Sequence, residues 1–198
     1  MRTYIVYSKT ASTAPYIKDL KKAGRHDVLL HSIISALFAS HTFRDDVELH
    51  LILMGPPTSP RHIIMKFDPD NTISKKNLKK TVELALRRYR KEDETTKPVT
   101  TKKVHPGVFI DNKSIQTVVE ELKEQNKEIY VLDANGEHVK DTKPQKLENA
   151  TFILGDHDGF DKKTKKYLKK NTIRLSLGPQ VYFTSQAITI LNYELDNL

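Results

Sequence analysis

The sequence predicts an α/β fold built on a largely parallel sheet. Runs rich in β-branched and aromatic residues, such as "TYIVYS", "VELHLILMG" and "ATFILG", recur along the 198-residue chain. Between them lie stretches whose apolar residues repeat at helical spacing. Strands alternating with helices pack as helical layers over a mostly parallel sheet. With no internal repeat and no low-complexity linker, residues 1–198 are expected to form one domain.

Residues 3–8, "TYIVYS", alternate and read as the first strand. "GRHD" (24–27) precedes a helix in which Leu30, Ile33, Ile34, Leu37 and Phe38 fall on one face, with Asp27 where an N-cap belongs. "VELHLILMG" (47–55) reads as a buried strand halted by Pro56-Pro57, and "HIIMKFD" (62–68) as a shorter strand. Residues 73–91 form a helix with Leu78, Val82, Ala85, Leu86 and Tyr89 inward, Ser74 as its cap and Lys/Arg outward. Residues 92–105 lack an apolar period and read as a surface loop or short edge strand. The second half repeats the rhythm. A helix at 113–125 precedes a strand at 128–137 that runs into a turn at Asn135-Gly136. A strand with its polar loop (150–160), a basic helix (162–170) and a strand (172–178) follow, and the last helix is expected just after Pro179.

The formal net charge of +8 favours an anionic partner such as RNA or DNA. The basic face of the helix at 73–91, the stretch Lys97 to Lys103 and Lys162 to Lys170 together offer a phosphate surface, with Tyr89, Tyr130, Tyr167 and Tyr182 available for stacking. The chain has no cysteine, which excludes disulfides, zinc–thiolate sites and thiol nucleophiles. The N-terminus lacks the apolar core of a signal peptide, and no stretch is long and apolar enough to span a bilayer. The cytoplasm is the expected compartment.

In parallel α/β sheets ligands gather at the carboxyl ends of strands. Here "VLDANGE", "LGDHDG" and "LSLGPQ" are such ends, and Gly136, Gly155 and Gly178 allow close backbone approach. Uncharged backbone groups there suit an adenine and ribose better than a polyphosphate. No GxxxxGK[ST], GxGxxG or GxSxG pattern is present, so nucleoside triphosphate, dinucleotide and serine-hydrolase chemistries are poorly supported. Asp156, His157 and Asp158 are compatible with a weak divalent site, but no other His is suitably spaced, and no metal is expected.

Seven motifs in order, "GRHDV…ALFASH", "VELHLILMGPP", "HPGVFI", "IYVLDANGE", "FILGDHDGF", "RLSLGP" and "SQAITILNYELD", resemble those of the archaeal tRNA pseudouridine N1-methyltransferases of the SPOUT superfamily. The resemblance implies a SPOUT-type layered sheet with a deep C-terminal trefoil knot (about 128–198) and an obligate homodimer. It also implies S-adenosylmethionine as methyl donor and a pseudouridine in the T arm of tRNA as acceptor. In the family the donor sits among three knot loops. These match Leu132, Gly155 and the run Leu175, Ser176, Leu177, Gly178, Pro179 and Gln180, with a further contact near the start of the last helix. Ala187 stands there, where relatives commonly carry the Cys of an "SQC" motif.

Two further expectations follow. Residues 175–193 carry no charge, which suits a segment threaded through a loop and packed on a second subunit. Ile188, Ile190, Leu191 and Leu195 are its core or interface candidates. For catalysis, Arg25 could hold a phosphate or uracil oxygen, while Asp27 or Asp156 could accept the N1 proton. The alternatives are the same chemistry on ribosomal RNA, or a catalytically silent RNA-binding dimer.

Overall fold

The computed structural model describes residues 1–70, 73–95 and 99–198. Its elements in chain order are β1 (Arg2–Ser8), α1 (His26–Leu37), β2 (Val47–Leu53), β3 (Arg61–Lys66), α2 (Leu78–Arg88), α3 (Lys91–Thr95), β4 (Lys102–His105) and β5 (Val108–Asp111). There follow α4 (Ile115–Glu124), β6 (Ile129–His138), α5 (Pro144–Leu147), β7 (Thr151–Gly155), α6 (Lys162–Asn171), β8 (Ile173–Ser176) and α7 (Thr184–Asp196). A 3₁₀ turn at Val139–Asp141 links β6 to α5.

The strands form one sheet in the order β4-β5-β3-β2-β1-β7-β6-β8. The half from β2 to β8 is parallel, and β3, β5 and β4 extend it antiparallel. The expected sheet was more uniformly parallel. The antiparallel half follows from short connections: residues 54–60 between β2 and β3 cannot accommodate the dozen or so residues a parallel crossover needs. Gly107, at φ +71°, turns β4 into β5.

Both faces of the parallel half are buried, which explains its unbroken apolar runs. Tyr4, Val6, Leu49, Leu51, Phe152 and Leu154 pack on one face against α1, α2 and α7. Ile5, Tyr7, Ile52, Val131 and Ile153 pack on the other against α4 and α6. Toward β5 the second face is polar. Glu48 Oε1 accepts from His50 Nε2 (2.8 Å), His50 Nδ1 meets His62 Nε2 (2.8 Å), and His62 Nδ1 donates to Asp111 Oδ1 (2.9 Å). His50, His62 and Asp111 are buried.

Several boundaries differ from expectation. Ser74 does not cap α2: its N–H donates to Asn77 Oδ1 (2.7 Å), and the helix begins at Leu78. The stretch 92–105 holds most of α3 and the edge strand β4. Asn135-Gly136 does not end β6, which bulges there and continues to His138. The last helix begins at Thr184 and not just after Pro179. Of the core or interface candidates, α7 has Ile188, Leu191 and Leu195 buried and Ile190 half-buried. Its one buried polar side chain in the last two turns, Asn192, accepts from the Tyr4 hydroxyl (2.8 Å) and donates to Ser35 O (2.9 Å). Those bonds tie the C-terminus to the first strand and α1.

Candidate active site

Three strand ends meet at one edge of the sheet. Ile153 of β7 pairs with Val131 of β6, and Leu132 of β6 pairs with Leu175 of β8, all in parallel register. At about 4.8 Å between neighbouring strands, Gly155, Leu132 and Leu175 span roughly 10 Å across the sheet. Of the candidate donor-site residues, Leu132, Gly155 and Leu175 are therefore brought together.

Local chemistry explains their shape. Leu132 and Glu137 both pair with Leu175, so residues 133–136 loop outward before His138 pairs with Ser176. Asp133 Oδ1 accepts from Asn135 N–H (2.9 Å) to close that loop. Only glycine fits at 136, because a Cβ there would lie 2.6 Å from Arg174 C and Leu175 N. The Ser176 hydroxyl stands 3.3 Å from Ala134 O and accepts from Gly178 N–H (3.0 Å), tying the second loop to the first. Gly178 takes φ +111°. Pro179 and Gln180 are exposed, and Ala187 is buried on the core face of α7. Leu175 and Ala187 belong to the hydrophobic core, and Leu132 and Leu177 pack against it.

The loop after β7 folds back tightly: a Cβ on Gly155 would lie 2.7 Å from Gly159 Cα. Thr184 Oγ1 donates to Gly155 O (2.8 Å) and docks the start of α7 on this strand end. Asp156 N–H donates to Tyr7 O (2.9 Å), and Asp156 Oδ1 accepts from Asp158 N–H (2.9 Å). The other oxygen, Oδ2, is buried without a hydrogen-bond partner, 3.7 Å from His157 Nδ1. A buried carboxylate oxygen without a hydrogen-bond partner is costly, and such groups cluster at functional sites. His157 Nε2 also lies 3.7 Å from Asp158 Oδ1, but no His, Asp or Glu group among the described residues is placed to hold a metal.

Asp161 then caps α6, accepting from Lys163 N–H (2.9 Å), Thr164 N–H (3.0 Å) and the Tyr7 hydroxyl (2.6 Å). Burial pushes the Asp161 carboxyl up, but a bond from the Thr164 hydroxyl (2.6 Å), together with these, outweighs it and holds it at about 2. Burial, with Asp161 beside it, pushes Tyr7 up to about 12. An ionised acceptor and a neutral phenol thus clamp α6 onto β1.

"GRHD" makes the turn that leads into α1. Gly24 (φ +81°) and Arg25 (φ 61°) are both left-handed, and a Cβ on Gly24 would collide with Thr10 O. This turn brings His26 N–H to Leu20 O (2.8 Å) and starts α1 at His26. Asp27 is therefore not the N-cap; it lies in the first turn and grips Arg25. Arg25 Nε donates to Asp27 Oδ1 and Nη2 to Oδ2, each at 2.9 Å. The Arg25 bond holds the Asp27 carboxyl below its usual range, and the same bond raises Arg25. The Asp156 carboxylate adds to that rise, so Arg25 and Asp156 are within electrostatic reach.

Sequence reasoning passed over His26, which is fully buried with Nε2 on Ser12 O (2.9 Å) and no partner for Nδ1. Burial lowers its pKa, so it is held neutral. Its place between Arg25 and Asp27 was the available signal. Thr184 was also missed, because nothing local marks its tie to Gly155.

A family model described as "Putative SAM-dependent RNA methyltransferase" matches residues 1–198. A tRNA (pseudouridine(54)-N(1))-methyltransferase of Pyrococcus abyssi is 30% identical over 209 residues, covering 100% of this chain and 98% of the relative. The enzyme of the same name from Thermococcus gammatolerans is 32% identical over 202 residues, with 100% and 98% coverage. Among solved structures, Archaeoglobus fulgidus Nep1 bound to S-adenosylhomocysteine superposes with a TM-score of 0.57 at 14% identity, covering 91% of this chain and 74% of that one. That likeness concerns the fold alone. By its full-length match, the chain belongs to the SAM-dependent RNA methyltransferase family.

Proposed function

We propose that this chain is a cytoplasmic, homodimeric tRNA (pseudouridine(54)-N(1))-methyltransferase, using S-adenosylmethionine as donor. The full-length relatives carry that activity in their names, and those names do not favour the ribosomal alternative. The observation that carries the reading is the convergence of three glycine-bearing strand ends beside a buried, unpaired Asp156 oxygen.

The residues fit the donor. Leu132, Leu175, Leu177 and Ala187 supply an apolar bed, the backbone from Leu175 to Gln180 with Gly155 supplies polar groups, and Asp156 supplies negative charge for a sulfonium. When bound, S-adenosylmethionine supplies an already activated methyl group. The chain must then hold N1 of pseudouridine in line and take its weakly acidic proton. Between the two candidate acceptors the geometry favours Asp156. Asp27 is engaged by Arg25 and held ionised, whereas Asp156 Oδ2 has no competing donor within hydrogen-bond distance. Asp27 instead orients Arg25, whose Nη1 remains for a uracil oxygen or phosphate.

A knot over about 128–198 is supported by the path of the chain. β8 lies at the sheet edge beside β6, yet α7 packs back across on α1 and β1, a return path in keeping with passage by the loop between β6 and β7. Dimerisation is supported by apolar groups facing water around the start and outer face of α7: Val181 is 81% exposed, Phe183 75% and Tyr193 66%. The test is mass spectrometry of nucleosides from pseudouridine-bearing tRNA after incubation with protein and isotope-labelled donor. Label at N1 of pseudouridine 54 is expected. Label on an uridine, or on ribosomal RNA alone, would overturn the assignment.

A further inference from the structure

We infer that the outer face of α6 is the surface on which the RNA phosphodiester backbone docks; this rests on the tRNA reading above. Sequence alone offered several basic stretches, and the structure separates them by what their charges already touch. On and near α2, Lys79 pairs with Glu83 (3.7 Å), Arg88 donates to Val104 O, Arg87 lies over the Tyr16 ring (5.9 Å) and Lys75 over Phe38 (5.9 Å). Of the stretch from Lys97 to Lys103, Lys97 lies outside the described residues, Lys102 pairs with Asp93 (2.9 Å) and Lys103 with Asp68 (3.1 Å). Of these cations, Lys79, Lys102 and Lys103 are neutralised by carboxylates within the fold, and Arg88, Arg87 and Lys75 are engaged by a carbonyl or a ring.

α6 is different. Lys162, Lys163, Lys165, Lys166, Lys169 and Lys170 are all exposed, and among the described residues none of their ammonium groups has an ion-pair or hydrogen-bond partner. At about 100° per residue the six fall within an arc of about 160°, opposite the buried Thr164 and Leu168. Such a density of like charge opposes itself, and a polyanion relieves the repulsion while releasing its counterions.

The position fits the reaction. α6 begins at Asp161, directly after the Asp156–Gly159 loop, and Asp161 is fastened to Tyr7 at the site end of β1. Ten residues at about 1.5 Å each carry the lysine row some 15 Å away from the site. A strand lying along it would be led toward the strand ends where the target base must sit. Arg174, exposed on the edge strand β8 that follows, adds a further cation.

The test replaces Lys165, Lys166, Lys169 and Lys170 with Gln, leaving the capped first turn intact. A control carries Lys76, Lys80, Lys102 and Lys103 replaced by Gln, with the same change in charge. Binding of S-adenosylhomocysteine by both variants within about 3-fold of wild type establishes that they fold. If each α6 lysine meets a phosphate, the slope of log affinity for tRNA against log salt falls by about 3. At about 0.15 M salt this weakens binding on the order of 10²-fold. The control should change less than about 3-fold. Unchanged affinity and slope in the α6 variant, or an equal loss in the control, overturns the surface while sparing the tRNA reading. Wild-type protein that neither binds nor methylates tRNA overturns both.

Discussion

Replacing Asp156 with Asn should separate stability from catalysis. In the wild type, Oδ1 is satisfied by Asp158 N–H while Oδ2 is buried without a partner. Leaving a buried polar group unsatisfied costs about 1–3 kcal/mol, more for a charged one. Asn keeps the Oδ1 acceptor and puts a neutral amide nitrogen, also without a partner, where the charged oxygen was. Burying a neutral group costs less than burying a charge, so the folded state should gain about 1 kcal/mol. At about 2–4 °C per kcal/mol for a chain this size, Tm should rise by roughly 2–4 °C. Methyl transfer should move the opposite way, since loss of a positioned proton acceptor costs about 10²–10⁴ in rate. Affinity for S-adenosylhomocysteine, which lacks the sulfonium charge, should stay within about 3-fold. Thermal melting and single-turnover methylation with saturating tRNA and donor read the two effects. Wild-type turnover in the variant, or activity and Tm falling together, would refute the role assigned to Asp156.

Gly136→Ala forces a Cβ to 2.6 Å from the β8 backbone, so stability should fall by about 1–3 kcal/mol and donor affinity at least 10-fold by titration calorimetry. Arg25→Lys should lower single-turnover rate more than donor affinity, because a lysine cannot keep both bonds to Asp27. Acid should destabilise the protein through the polar end of the second sheet face. Burial raises the Glu48 carboxyl, but the bond from His50 and the charges of His50 and Lys66 outweigh it and hold it at about 2, against an ordinary 4.5. A depressed carboxyl contributes stability above its unfolded value that is lost as pH falls toward the folded one. The amount here is on the order of 3 kcal/mol between about pH 5 and pH 2. Burial lowers His50 as well, so its neutral form adds a loss of the same sign below its unfolded value of 6.5. Glu48→Gln should flatten the acid limb of a Tm–pH curve. Replacing Val181 and Phe183 with Ser should shift a dimer toward monomer in size-exclusion light scattering.

The sequence made long periodic elements readable: Leu78, Val82, Ala85 and Leu86 announce α2, and Val118, Val119 and Leu122 do the same for α4. The glycines at strand ends were equally visible, because their role is local. β5 was not separated from its motif, since four residues give too little period. Pro179 looked like a helix start, yet the chain runs five residues further before Thr184 docks on Gly155, a contact invisible at that range. The left-handed Arg25 overrode the expected Asp27 cap, because non-glycine residues rarely take that conformation. The His50–His62 contact escaped because it depends on antiparallel pairing of β2 with β3.

Hydrogen exchange with and without S-adenosylhomocysteine tests most directly whether three strand ends make one donor pocket. Protection is expected in peptides covering residues 132–138, 155–160 and 175–183, together with the first turn of α7. Protection confined to other parts of the sheet, or binding that protects none of these segments, would contradict it.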